Sequence, residues 1–389
     1  MSFNGKQFYY SMPTNYVFGT KAMDRFAEVI APYKRVLFVH GAHALKALGL
    51  DVSIRERLEQ AGTVFEELSD APSNPTDTYV ERVCKMCQSF QPDLILAVGG
   101  GSVIDAAKAA AVLYGARQET GADCSYVEAL AGLRGLQQAL PVGVVLTLPA
   151  SGSECNNSFV IHCAESGKKL ARAHKLATPK FALCNPETME TLSEKQLACA
   201  CADIMAHLLE QLFCAQDYLD HVDNLIYASI SSLIDSWELL KNEDTAQQAR
   251  QDIMALGSLG LSYFLSVGRP CDWVAHEIDH RLSGRIPAAH GHVLSVVMPA
   301  WVRTMAENPY YRLRLQGFEE RCPYTMKNHL TGLGTIQGFY DGLGLPADVV
   351  RNAVGANVDE AVRLIMDAGP LGRCEALTEQ TCRTVLEGL

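Results

Sequence analysis

The most restrictive feature of this chain is an apolar run that ends in three glycines and passes straight into a helical pattern. Leu94-Ile95-Leu96-Ala97-Val98 leads into Gly99-Gly100-Gly101-Ser102, and Val103 to Val112 then repeats at helical spacing. Strand, glycine turn and helix in that order make a βα unit, in which consecutive glycines let the backbone pass close to a ligand. The first N–H groups of such a helix have no intrahelical partner, so they form an anion site suited to a pyrophosphate. The run is neither G-x-G-x-x-G nor a Walker loop, so by itself it is equally a plain tight turn.

Its surroundings follow the same grammar. Arg35 to His40 is strand-like, Ile54 to Gln60 helical, Thr63 to Leu68 strand-like, Thr76 to Phe90 helical, and Asp93 to Val98 a strand again. Strands separated by helices form a parallel sheet, with ligands bound beyond the carboxyl ends of its strands. Val142 to Leu146 and Phe181 to Cys184 add two more strands, the first running into Thr147-Leu148-Pro149-Ala150-Ser151-Gly152-Ser153-Glu154. From Glu187 onward the periodicity is helical, with long segments at Lys195 to Phe213 and Asp223 to Leu240. The expected architecture is an α/β domain over 1–185, built on a Rossmann-like parallel sheet, and an all-α domain over 186–389. No linker rich in Gly, Ser or Pro separates them, so a direct interface is expected.

Composition removes several function classes. Forty-four acidic against 33 basic residues give a net charge of −11, which repels nucleic acid. Local cations such as Lys168-Lys169 still suffice for one small phosphate-bearing ligand. No apolar stretch of about 18 residues is present to span a membrane, and Met1 to Tyr16 lacks the apolar core of a secretory signal. A cytoplasmic protein is expected. The 13 cysteines are scattered through helix-like and strand-like segments, as small buried apolar groups in a reducing compartment would be. Cys84 and Cys87 form a C-x-x-C pair inside an amphipathic helix pattern with no second pair nearby, which does not make a zinc ribbon.

The helical half carries sharper chemistry. Asp203 and His207 stand four residues apart, one turn along one helix face. His276 and His280 repeat that spacing, and His290 follows beside Gly291. A lone helical histidine is usually a core or surface residue, but two such pairs and a fifth group point to a shared divalent ion. One oxygen and three nitrogen ligands suit Fe2+ or Zn2+ and not the oxygen-rich sites of Ca2+ or Mg2+. Glu277 and Asp279 are expected behind the ligands or exposed, and Cys199 and Cys201 point elsewhere around the Asp203 helix. Trp237, Trp273 and Trp301 read as core or pocket wall.

Taken together these residues resemble the iron-containing alcohol dehydrogenases, in particular the branch of NADPH-dependent butanol dehydrogenases and aldehyde reductases. The resemblance rests on Phe18-Gly19, Gly99-Gly100-Gly101-Ser102-x-x-Asp105, Leu146 to Glu154, the Asp203/His207 pair and His276 to His292. It implies a dehydroquinate synthase-like fold, with Asp203, His207, His276 and His290 as metal ligands. His280 matches a histidine near the substrate and nicotinamide, a proton relay and not a principal ligand. Gly41, Gly99, Gly100, Gly101, Ser102, Asp105, Thr147, Ser151 and Lys169 fall where the family holds its dinucleotide. Ser151 replaces the usual Thr and keeps the hydroxyl, and Asn185 replaces the usual Asp before Pro.

The activity so implied is hydride transfer between NAD(P)H and a short or medium-chain aldehyde, reversibly with its alcohol, in a homodimer holding one divalent metal, Fe2+ or Zn2+. A synthase or a polyol- or glycerol-phosphate dehydrogenase of the same fold needs several cations around the metal, where mainly Arg281 and Arg285 are found. A non-catalytic relative of the fold would have lost ligands, and all four are present. NADPH is expected in preference to NADH. Val36 to Val39 is read as the first strand, and no carboxylate follows it to repel a 2′-phosphate. Gly41 stands where NAD-preferring members carry Asp, with His40, His43 and Lys46 close by.

Overall fold

The computed structural model describes residues 9–389 apart from 42–43, 122–123, 165–166, 214–219, 268, 270, 283 and 373–376. His43 therefore lies outside the described residues. The chain divides into two compact units, Ser11–Leu192 and Ser193–Leu389, with Tyr10 belonging to the second. Tyr10 stands edge-on to Phe264, ring centroids 5.4 Å apart.

The first unit is built on a six-stranded parallel sheet. Its strands are β1 (Asn15–Phe18), β2 (Arg35–His40), β3 (Val64–Leu68), β4 (Leu94–Gly100), β5 (Val142–Leu148) and β8 (Phe181–Cys184), in the order β1-β8-β5-β4-β2-β3. The inner strands read as nearly unbroken apolar runs because helices cover both faces of a parallel sheet. Phe26, Phe38, Ile54, Leu58, Leu96, Val98 and Leu183 fill one side. Strand order reverses between β2 and β4, and chains leaving at such a point open a crevice. Gly41 follows β2 there, and Gly99–Gly101 form the end of β4 and the first residue of the helix that follows it directly.

Three elements were not legible in the pattern. The first strand is β1 and not β2: its four residues lie at the sheet edge, none of them buried, so no burial alternation marks it. Strands β6 (Ser158–Cys163) and β7 (Lys168–Ala173) form a separate antiparallel hairpin between β5 and β8. The turn Pro186–Thr191 also stays with the sheet, Thr188 Oγ1 donating to Leu146 O at 3.2 Å, so the first compact unit runs on to Leu192.

The second unit is helical. Ser193 caps the Glu194–Leu212 helix in a reciprocal box with Gln196. The opposite end of that helix is held by buried charge: Arg314 donates to Leu212 O at 2.6 Å and Arg269 to Gln211 O at 3.1 Å, and both pair with buried Asp223. Cations there complement the helix dipole. The His290–Met305 helix lies hard against this one. A Cβ at Gly291 would sit 2.0 Å from Cys199 O, so glycine sets how closely the two helices approach. Eleven described cysteines are free thiols, nine of them buried.

Candidate metal centre and nucleotide loops

Four side chains from three helices meet at one oxygen. Asp203 Oδ1 lies 3.5 Å from His207 Nε2, 3.4 Å from His276 Nε2 and 3.6 Å from His290 Nε2. Asp203 and His207 come from Glu194–Leu212, His276 from Val274–Leu282, and His290 opens His290–Met305. The ligand atoms of Asp203, His276 and His290 all lie within 4.8 Å of one another, and the His207 ring stacks on that of His276 at 4.6 Å. Asp203 Oδ1 and His276 Nε2 are buried without a hydrogen-bond partner. An unsatisfied buried carboxylate oxygen is costly, and a cation among these atoms removes the cost. The donor set thus fits a divalent metal.

The electrostatics say the same. Burial pushes the Asp203 carboxyl up, yet the surrounding imidazoles outweigh it and hold the group below the ordinary carboxylate range. Burial pulls His276 down, yet Glu210 and Asp203 outweigh it and push it up to about 10. The two carboxylates favour positive charge among these side chains.

Carboxylates behind the rings set their direction. Glu210 Oε2 bonds His276 Nδ1 while its Oε1 accepts from Ala275 N–H at 2.6 Å; Asp279 Oδ2 bonds His290 Nδ1 at 2.7 Å. Each contact turns the Nε2 lone pair toward Asp203 and raises the basicity of the ring. Glu210 was missed by sequence reasoning, although it stands three residues after His207 on a helix buried on all sides there. Asp279 takes the orienting place and is buried, whereas Glu277 pairs with Arg281. His280 is half-buried, its ring stacked on His290 at 5.6 Å and edge-on to His276 at 6.3 Å.

In the first unit the glycine turn is required by packing as well as by any ligand. A Cβ at Gly99 would lie 2.6 Å from Val103 Cγ2, at Gly100 3.1 Å from Leu148 Cβ, and at Gly101 2.4 Å from Ser151 Oγ. The Gly101–Thr120 helix has no side-chain cap at Gly100. Ser102 Oγ donates to Ser73 O. Asp105 accepts from Ser153 Oγ at 2.6 Å and Val160 N–H at 2.8 Å, so both oxygens hold protein groups. Thr147 is buried near the end of β5, Ser153 N–H lies 3.4 Å from Ser151 Oγ, and half-buried Lys169 faces His162 across the hairpin.

Lys108 was not anticipated. Fully buried, it donates to Ser153 Oγ at 2.8 Å, Asn156 O at 2.9 Å, Asn156 Oδ1 at 3.2 Å and Ser158 O at 2.9 Å. Burial lowers it to about 8. Gly101, Asp105 and Lys108, at i, i+4 and i+7, form one stripe of the helix that shapes the whole 151–158 loop.

The end of β2 differs from expectation. His40 is buried, with Nε2 bonded to Glu67 Oε1 at 2.8 Å and Nδ1 2.8 Å from Gly41 O, so it is not a phosphate contact. Arg55 grips Glu67 through Nε at 2.7 Å and Nη2 at 2.8 Å. Among the described residues a Cβ at Gly41 would meet only Ala71 O, at 3.7 Å, and Lys46 is exposed.

Comparison with known proteins accords with this construction. Residues 13–186 match the family model described as iron-containing alcohol dehydrogenase, and residues 197–336 match that of the Fe-containing alcohol dehydrogenase family, C-terminal. The chain is 30% identical to the probable NADH-dependent butanol dehydrogenase 1 of Bacillus subtilis, over 98% of this chain and 99% of that one. It is 25% identical to the NADPH-dependent aldehyde reductase YqhD of Escherichia coli, over 96% and 97%. The crystal structure of NADH-dependent butanol dehydrogenase A from Thermotoga maritima superposes with a TM-score of 0.88 at 25% identity, covering 98% of both chains.

Proposed function

This chain belongs to the iron-containing alcohol dehydrogenase family, and from that premise we propose that it reduces small, weakly charged aldehydes and oxidises the matching primary alcohols. The observation that carries the reading is the buried, partnerless Asp203 Oδ1 with three imidazole Nε2 atoms 3.4–3.6 Å away. A divalent cation there, Fe2+ or Zn2+, supplies Lewis acidity toward the substrate oxygen, and NAD(P)H supplies the hydride. Asp203, His207, His276 and His290 hold the cation, with Glu210 and Asp279 fixing two of the rings. His280, half-buried and stacked on His290, moves the proton between the substrate oxygen and solvent. In this assignment 1–185 binds the dinucleotide, through the Gly99–Ser102 turn, Thr147, Ser151 and Lys169, and 186–389 binds the metal. Asp105 and Lys108 position the 151–158 loop.

The cations beside the metal segments support a weakly charged substrate. Arg281 is spent on Ile365 O at 2.6 Å, Gly369 O at 2.9 Å and Pro370 O at 3.1 Å, and Arg285 pairs with Glu360 at 2.7 Å. For the cofactor, the open Gly41 and exposed Lys46 favour NADPH, while Glu67 is neutralised by Arg55; the B. subtilis relative's NADH-dependent name favours the other choice. As a sheet-edge strand with, among the described residues, a neighbour on one side only, β1 is consistent with a homodimer. Free buried thiols suit a reducing cytoplasm, and no helix among the described residues is long and apolar enough to cross a membrane.

Metal analysis combined with an aldehyde panel, assayed with both reduced cofactors, tests this. About one Fe or Zn per chain, aldehyde turnover and a higher kcat/KM with NADPH are expected. Failure to reduce any aldehyde, with low KM for phosphorylated or dicarboxylated compounds, overturns it; a preference for NADH, or an unchanged preference in Gly41→Asp, removes the cofactor assignment.

A further inference from the structure

Trp273 is built in a way that metal ligation does not require. Its φ is +57°, in the left-handed region that bulky side chains rarely adopt. Strain of this kind persists only where neighbours over-determine it. Here they do. Asp272, just before it, is buried and receives the Tyr311 hydroxyl. Ala275 N–H is held by Glu210, and Trp273 O accepts from Glu277 N–H at 2.9 Å to start the Val274–Leu282 helix. The ring so placed meets two metal-ligand imidazoles edge-on, His276 at 5.5 Å and 87°, and His207 at 6.1 Å and 72°. Those two rings are buried; the indole is half-exposed. It donates nothing to the centre and carries no charge.

We propose that Trp273 is a specificity-determining residue for the reaction assigned above: a rigid apolar wall that accepts unbranched aldehydes and turns away carbonyl compounds branched beside the carbonyl carbon. The inference rests on that reading of the site. A carbonyl oxygen directed at the Asp203, His207 and His276 cluster brings its first carbons beside the half-exposed indole that packs on His207 and His276. A straight chain lies along a flat face. A methyl branch at the next carbon meets it, because an indole pinned at its backbone and packed on two imidazoles has little freedom to turn. Exclusion of one methyl group by such a wall is worth on the order of 10–200-fold in kcat/KM.

The test compares metal-loaded holoenzyme with Trp273→Gly, which relieves the backbone strain and removes the wall, and Trp273→Phe, which keeps a smaller ring. The kcat/KM ratio of butanal to 2-methylpropanal is measured, with metal content and the calorimetric affinities of butyramide and 2-methylpropanamide, unreactive carbonyl mimics. At least about a tenfold fall in the ratio is expected in the glycine variant and a smaller fall in the phenylalanine variant, with metal retained. A ratio within about twofold of the parent in both metal-loaded variants overturns the wall; should the glycine variant not fold, the phenylalanine variant decides alone. Where the parent reduces no aldehyde, the reaction assignment falls and the amides decide this inference: discrimination lost in the variants supports the wall, discrimination unchanged overturns it.

Discussion

Single atoms determine the chemistry of this chain, and Asp203 Oδ1 matters most because two of its three histidine partners, His276 and His290, have outer nitrogens already committed to carboxylates. Glu210 is the strongest of these commitments, bonding both His276 Nδ1 and Ala275 N–H. Glu210→Gln keeps an acceptor but loses the charge, and a 10–100-fold loss of metal affinity is expected by chelator competition. Glu277→Gln, whose partner is Arg281, serves as the control with affinity unchanged. A second residue-scale prediction concerns acid stability. The bidentate Arg55 contact, reinforced by His40, holds Glu67 at about 2 against the ordinary 4.5. A carboxyl lowered on folding stabilises the protein fully above its unfolded value and loses that contribution as pH falls from about 4.5 through about 2. Glu67→Gln should therefore flatten the acid limb of the stability curve over that interval in denaturant titrations; an identical limb would detach the contact from stability.

Among the elements, the approach of two helices decides whether the four proposed ligands meet. Gly291 stands one residue after His290, where any Cβ runs into the Cys199 carbonyl one turn before Asp203. Gly291→Ala forces the helices apart, and a loss of about 2–3 kcal/mol together with most of the bound metal is expected from thermal unfolding and metal analysis. Gly260 offers the contrast: its Cβ would meet nothing nearer than 3.9 Å and its φ is ordinary, so Gly260→Ala should be neutral or stabilising by up to about 1 kcal/mol. In the other unit the equivalent element is the stripe of Gly101, Asp105 and Lys108. Lys108→Met leaves Ser153 Oγ, Asn156 O and Ser158 O without their shared donor inside the protein. A rise of at least about tenfold in the NADPH dissociation constant is expected, because the loop proposed to face the nucleotide loses its template.

For the whole molecule, two units with separate cores predict separable functions. His276→Ala should lose its metal yet bind NADPH within about threefold of the parent, while Lys108→Met should bind metal normally; parallel loss of both ligands in either variant would contradict that division. Much of this architecture was legible in the chain itself. Alternating apolar and helical periods specified a parallel sheet followed by helices, and the i, i+4 pairs marked Asp203, His207, His276 and His280, because helical and strand periods are local and survive in any linear reading. Edge strand β1 and strand β7 escaped because short strands with no buried residue carry no burial alternation, and β6 escaped because its alternating burial is masked in the sequence by the unbroken apolar run Phe159-Val160-Ile161. What tertiary structure decided has a common cause: it joins groups far apart in sequence. Glu210 reaches His276 across 66 positions, Glu67 reaches His40 across 27, and Lys108 reaches Ser153 across 45. Sequence alone determined which ligand types were available and on which helices. Only packing decided that Asp279 orients a ring while Glu277 does not, that His40 is locked away from a phosphate, and that Gly291 serves a helix contact, because each depends on which side chain arrives from a distant segment to share the same buried space.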